Sequence, residues 1–336
     1  MQIVASAPCR VDLAGGTLDI WPLYLFHEAP LTVNFAISLR AHCRIELRKD
    51  RRIHLRARDL GIEEQFPSLD ALRARRSARL PLHAEVVGFL APERGLTVET
   101  DCEAPAGAGL AGSSTLIIAL ASALKMLRGE RGSKEQLRQT AQNLEARIIR
   151  VPTGCQDYYP ALYGGVNAIE LGTDGIRRHA IPAPLAELNR RFVLVYTGIP
   201  RQSGINNWEV MKAHIDGNRR VHRNFDEIAA IARAMRSALE RCDWEEAGRL
   251  LRAEWSHRRR NAPGITTPLI DAVVARALRA GASGAKVCGA GGGGCLVVLC
   301  PPEARERVAT VARQAGGAVL DVTAASQGVR VRRMPQ

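Results

Sequence analysis

The chain has 336 residues, enough for one large or two modest domains with full cores. Hydrophobic residues make up 46% and charged residues 24%, which excludes a disordered or fibrous chain. The net charge of +13 comes from arginines spread along the chain; with aromatics at 4%, no basic face is interleaved with stacking rings, so no nucleic-acid partner is expected.

The arginine runs (Arg73, Arg75, Arg76 and Arg79; Arg258, Arg259 and Arg260) read as solvated helix faces, and the basic excess also fits an anionic small substrate. Eight cysteines show no Cys-x-x-Cys pair and no metal spacing, so reduced thiols are expected. Met1 to Ser6 lacks a charged segment followed by an apolar one, and no apolar run reaches membrane-spanning length. The expectation is a cytoplasmic protein with no membrane partner, monomeric or a homodimer.

Val11 and Leu13 mark a first strand, which Gly15 and Gly16 break into a loop presenting Arg10, Asp12, Thr17 and Asp19. Such a loop can hold the hydroxyls of a polyol, or Asp19 can simply cap the next turn. Leu31 to Leu47 and Arg52 to Arg58 alternate as half-buried strands do. Pro67 to Arg79 reads as an arginine-rich helix or linker, His83 to Leu90 as a short helix, and Leu96 to Cys102 as a strand.

Then comes Pro105-Ala-Gly-Ala-Gly-Leu-Ala-Gly-Ser-Ser-Thr115, running into the apolar helix Leu116 to Leu127. Strand, glycine loop and helix form a ready anion cradle, because glycines let backbone approach a ligand and the helix start presents unpaired N–H groups. The plainer reading makes Ser113 or Ser114 an ordinary helix cap. Ser133 with Gln136 opens a helix to Arg150 through a capping box, with Glu145 near its end. Asp157 follows in a turn-rich segment, where an acid serves as a general base or a cap.

Ala168 to Ile181 reads as a hairpin around Thr173 to Gly175, Arg191 to Tyr196 as a buried strand, and Asn206 to Trp255 as helices. A helix from Thr267 to Ala280 precedes Gly284 to Cys295, a glycine tract feeding the strand Leu296 to Leu299. Four consecutive glycines cost backbone entropy, so the tract is expected to approach something closely, the first glycine loop or its ligand. A helix and two short strands close the chain.

Three segments together resemble the GHMP kinases: Ala7-Pro8-x-Arg10 with Asp19, the Pro105 to Thr115 loop, and Lys286 to Gly294. Within that superfamily, Arg10 to Asp19, Gln156-Asp157-Tyr158, Tyr163 to Asn167 and Tyr196 to Ser203 are similar to bacterial heptose 7-phosphate kinases and fucokinase-type domains. The heptose kinases' Gly-Gly-Gly-Thr-Asp reads Gly15-Gly-Thr-Leu-Asp19 here, which leaves the exact sugar open.

The resemblance implies an α+β fold of two domains, a ribosomal-protein-S5-like unit over residues 1–185 and a ferredoxin-like unit over residues 186–336. It implies transfer of a phosphoryl group from ATP, with Mg2+, to the anomeric hydroxyl of a sugar or sugar phosphate. Gly107, Ala108, Gly109, Leu110, Ala111, Gly112, Ser113 and Ser114 would bind the nucleotide, joined by Gly291 of the third motif. Ser114 and Glu145 would hold the metal, Asp157 would be the catalytic acid, and Arg10 the cation beside it. Gly16, Thr17, Asp19, Gln156 and Arg201 would bind substrate, with Ser203 nearby. The alternatives are a kinase for another small alcohol (fucose, another hexose or mevalonate) and a non-catalytic binding homologue.

Overall fold

The computed structural model describes residues 1–200 and 203–335. Its strands are β1 (Gln2–Ala14), β2 (Leu31–Leu47), β3 (Ile53–Ala57), β4 (Ile62–Phe66), β5 (Leu96–Cys102) and β6 (Val166–Gly172). They continue with β7 (Gly175–Ile181), β8 (Phe192–Tyr196), β9 (Gly284–Val287), β10 (Cys295–Leu299), β11 (Ala318–Leu320) and β12 (Arg330–Met334). The first helices are α1 (Leu69–Arg73), α2 (Pro81–Leu90), α3 (Gly112–Arg128), α4 (Lys134–Ile149), α5 (Tyr158–Tyr163) and α6 (Leu185–Arg191). The later ones are α7 (Ser203–Ile215), α8 (Arg219–Glu240), α9 (Trp244–Arg258), α10 (Pro268–Arg279) and α11 (Arg305–Gln314).

An eight-stranded sheet runs β12-β1-β2-β5-β3-β4, with β6 on β2 and β7 on β6; a four-stranded antiparallel sheet runs β11-β8-β10-β9. The long strand β2 organises the first sheet. Its first half pairs with β6, its second half with β5, and β1 lies along its other edge. The last strand returns from the far end of the chain to pair with β1.

Helix α3 is buried all round from Ser114 to Leu124, because it is sandwiched between β1 and β2 on one side and α2 and α4 on the other. The predicted capping box is present: Ser133 accepts from the Gln136 N–H at 3.1 Å, and Gln136 accepts from the Ser133 N–H at 3.3 Å. The hairpin β6–β7 turns at the expected Thr173–Gly175.

Strand β8 shows how the two sheets meet. Val193 and Val195 face a core with Ile270, Val273 and Val308 of α10 and α11. Phe192 and Leu194 face the opposite way, into a core with Val11 and Leu13 of β1, Phe35 of β2 and Met235 of α8. This is the period of two that a strand imposes, here serving two buried faces. The second core fixes the sheets against each other, and the site lies at their junction. Among the described residues, no helix is long and apolar enough to cross a membrane.

Candidate active site

The first glycine loop leaves β5 and turns through Gly107, Gly109 and Ala111, all at positive φ. Ala111 occupies the position before α3 and caps nothing with its side chain. Neither Ser113 nor Ser114 is therefore the helix cap. Their hydroxyls donate to the two carboxylate oxygens of Glu145, at 2.5 and 2.7 Å, and Tyr158 donates to Oε2 at 2.6 Å. The start of α3 is left with free N–H groups, the arrangement that favours an anion.

The second glycine tract touches this loop directly. The Cys295 N–H donates to the Ala108 carbonyl at 2.7 Å, and a Cβ on Gly294 would lie 2.7 Å from that oxygen. Gly294 also donates its N–H to Ile199 and accepts from Thr197, so the tract is pinned on both sides. The expected approach of the two glycine segments is present. Its cause is steric: a side chain at Gly294 would displace the Ala108 carbonyl.

Arg10 gathers the site. The β1–β2 register shifts between Pro8 and Arg10, and the Arg10 N–H donates to the Leu110 carbonyl of the glycine loop instead. Such a bulge re-aims the side chain. The buried guanidinium donates to the Gly109 carbonyl at 2.7 Å, and its Nε and Nη2 donate to Asp157 Oδ1 at 2.9 and 2.6 Å. Burial disfavours the guanidinium charge, but Asp157 and Asp12 outweigh it and raise its pKa further. Asp157 begins α5 without capping it, and it is partly open to the cleft.

Asp19 is buried and accepts from the Gln156 N–H at 2.8 Å. Burial, followed by the Asp157 charge, pushes its carboxyl up to about 6. Glu145 is likewise raised by burial, opposed by its hydroxyl donors. Thr17 adopts a φ of 69°, and its hydroxyl contacts Asn207 of α7 at 3.2 Å. Gly16 has no room for a Cβ, which would lie 2.5 Å from Asp12 Oδ2.

Behind this loop lies a buried charge network that the sequence reading missed. Lys286 of β9 pairs with Asp12 at 3.0 Å and with Glu254 of α9 at 3.4 Å. Arg258 pairs with Glu254 at 2.7 Å and donates to the Gly16 carbonyl at 2.6 Å and to Thr17 at 3.2 Å. Arg258 is 3% exposed, so it is not the solvated face its run implied; Arg259 and Arg260 are exposed. The correction has a physical reason, since a buried arginine needs acceptors on every side, and Glu254 and the Gly16 loop supply them. Burial opposes ionisation of Asp12, but Lys286, Arg10 and Arg258 together hold its carboxyl well below the usual range.

The groups around Arg10, Asp19 and Asp157 share one cleft of about 450 Å³. Its walls include Arg10, Thr17, Asp19, Gln156, Asp157, Glu145 and the whole loop from Pro105 to Ser114. The lining also includes Leu60, Leu80, Leu82 and Ile149 together with Asp59, Arg79 and His83. Gly289 and Ala290 line it from the second tract. Gly291 does not: it faces Ile265, whose carbonyl lies 2.5 Å from the place its Cβ would take. Gly16 lies behind the wall, against Asp12 and Arg258. Arg201 and the Ser203 side chain fall outside the described residues.

Two family models match this chain, the GHMP kinases N terminal domain over residues 77–165 and the GHMP kinases C terminal region over residues 235–318. The chain belongs to the GHMP kinases, a family of phosphotransferases, and has their two-domain fold. It is 25% identical over 343 residues to the D-glycero-alpha-D-manno-heptose 7-phosphate kinase of Campylobacter jejuni, covering 98% of each chain. It is also 25% identical over 362 residues to the mevalonate kinase of Thermococcus sibiricus, covering all of both. In structure it is similar to Lactococcus lactis galactokinase complexed with galactose, with a TM-score of 0.83, 19% identity, and coverage of 98% of this chain and 95% of that one.

Proposed function

We propose that this protein transfers the terminal phosphoryl group of ATP to the anomeric hydroxyl of a sugar or sugar phosphate, with a heptose 7-phosphate as the leading candidate. One observation carries the reading: Arg10 bonds both to the glycine loop and to Asp157, in the cleft that also holds Asp19. A triphosphate on that loop and a polyol against Asp19 would meet at Asp157.

Phosphoryl transfer asks for positioning and charge stabilisation more than covalent help. The hydroxyl oxygen bonds to the terminal phosphorus as the bond to the departing ADP oxygen breaks, and the hydroxyl proton passes to Asp157. Arg10 holds Asp157 by Oδ1 alone, which leaves Oδ2 to face the hydroxyl. The N–H groups from Gly107 to Ser114 would hold the phosphates, Asp19 would accept from sugar hydroxyls, and Thr17 and Gln156 would flank it.

The donors around Glu145 fit a magnesium ion: two hydroxyls and a carboxylate, all hard oxygens, converge beside the phosphate loop. When bound, magnesium supplies neutralisation of phosphate charge. Ser114 and Glu145 would hold it, with their mutual hydrogen bonds preserving the arrangement in its absence.

A second reading, a kinase for another small alcohol, draws support from the mevalonate kinase similarity. The buried Asp19 carboxylate set among Thr17, Gln156 and Asn207 favours a substrate with several hydroxyls. An ADP-release assay over heptose 7-phosphate, unphosphorylated sugars and mevalonate separates the two. The sugar reading expects turnover on a sugar or sugar phosphate; turnover on mevalonate alone would end it.

A further inference from the structure

Away from the cleft, three histidines meet. His27 follows the short 3-10 turn Leu23–Phe26 on the β1–β2 connection, His214 closes α7, and His222 lies in the first turn of α8. One ring nitrogen from each lies within 4.8 Å of the others. Nε2 of His27 and Nε2 of His214 face each other at 2.9 Å. Two imidazolium ions cannot sit this way in a buried site, so at least one ring is neutral, the form that ligates metals. On the far side of His27, Nδ1 bonds to Asp226 at 2.7 Å. A carboxylate there fixes the tautomer and turns the Nε2 lone pair inward, as supporting carboxylates do behind metal-bound histidines.

Protons alone leave the cluster incomplete. If His27 donates from Nδ1 to Asp226, His214 must donate from Nε2 to His27, and the buried Nδ1 of His214 has no hydrogen-bond partner among the described residues. Two nitrogens that bind one tetrahedral ion at about 2.0–2.1 Å each sit about 3.3 Å apart, and the 2.9 Å spacing here is within a few tenths of an ångström of that. His222 and Asp226 stand one helical turn apart on α8 with side chains 42% and 52% exposed, so an ion has a path in from solvent.

We propose that His27, His214 and His222 form a site for one divalent transition-metal ion of the zinc type, with Asp226 orienting His27. Three imidazole nitrogens select such an ion over magnesium or calcium, which take all-oxygen shells. The ion would fasten three segments together: the connection that carries Asp19, helix α7 with Asn207, and α8. Its role is a clamp on the substrate side of the cleft, and none of the three histidines lines the cleft itself.

The test is metal uptake by the full chain. The protein is stripped with chelator, dialysed against zinc or cobalt, and analysed for metal content, visible cobalt absorption and melting temperature. Wild type should hold one ion per chain at this site, with a visible cobalt band and a higher melting temperature. His222→Ala should abolish the band, and Asp226→Asn should weaken affinity by about 10–100-fold. Both substitutions are at part-exposed side chains, and unchanged metal-free melting verifies their folding. Glu145→Gln should leave the band intact, which separates this ion from one at the phosphate loop. No uptake by wild type, or equal uptake by His222→Ala, would overturn the proposal.

Discussion

Asp19 shows how placement alters a common side chain. Burial and the neighbouring Asp157 raise its carboxyl from 3.8 to about 6. Because the folded value lies above the unfolded one, proton uptake favours the folded state, and stability rises as pH falls through 6 toward 4. Holding Asp19 ionised at neutral pH costs on the order of 3 kcal/mol, which donated sugar hydroxyls would partly offset. We expect kcat/KM for the sugar to fall about tenfold per pH unit below pH 6 as this acceptor is protonated. A pH–rate profile of Asp19→Asn should be lower throughout and lack that limb; an unchanged limb would assign the titration to another group. The role of Asp19 was open in the sequence, because a cap and a ligand-binding acid look alike in a glycine loop. In the fold it accepts from the Gln156 N–H, 137 residues away, a contact that no local signal reaches.

At the scale of elements, the two glycine tracts act as one device. Gly294 has φ at +75° and no room for a Cβ, so Gly294→Ala adds backbone strain and a clash with the Ala108 carbonyl. The expected cost is about 1–3 kcal/mol of stability, with KM for ATP raised and KM for the sugar little changed. Thermal denaturation and separate titrations of the two substrates measure this. Much at this scale was legible because the signals are local: the strand–loop–helix around Gly107, the Ser133 capping box, and the Thr173–Gly175 hairpin. Strand β4, Ile-Glu-Glu-Gln-Phe, was not, since its charges suit a sheet edge and mask its pairing with β3. The serines after the loop were ambiguous for a different reason. Their partner, Glu145, is on another helix, and no spacing rule reaches it.

Across the whole molecule, Asp12, Glu254, Arg258 and Lys286 join β1 of one sheet to β9 of the other through α9. Arg258 sits in a run read in sequence as a solvated face; its burial with Glu254, four residues earlier, follows from packing that only the full topology creates. Lys286→Met takes the ion-pair partner from the buried Asp12 carboxylate, leaving it the Gly289 N–H and the nearby arginines, and should cost about 3 kcal/mol. Adding Asp12→Asn should recover part of that loss, which a double-mutant cycle by chemical denaturation reads directly. Strict additivity would mean the pair carries no coupling between the sheets.

The same topology brings Asp157 to the first glycine loop, 147 residues after the Arg10 that holds it. The most direct test is turnover and ATP affinity measured side by side, with a substrate that the sugar panel identifies, for wild type and Asp157→Asn. Turnover should fall by about 10²–10⁴-fold while ATP affinity stays nearly unchanged. Full turnover in the variant would contradict the assignment of Asp157 as the group that takes the proton.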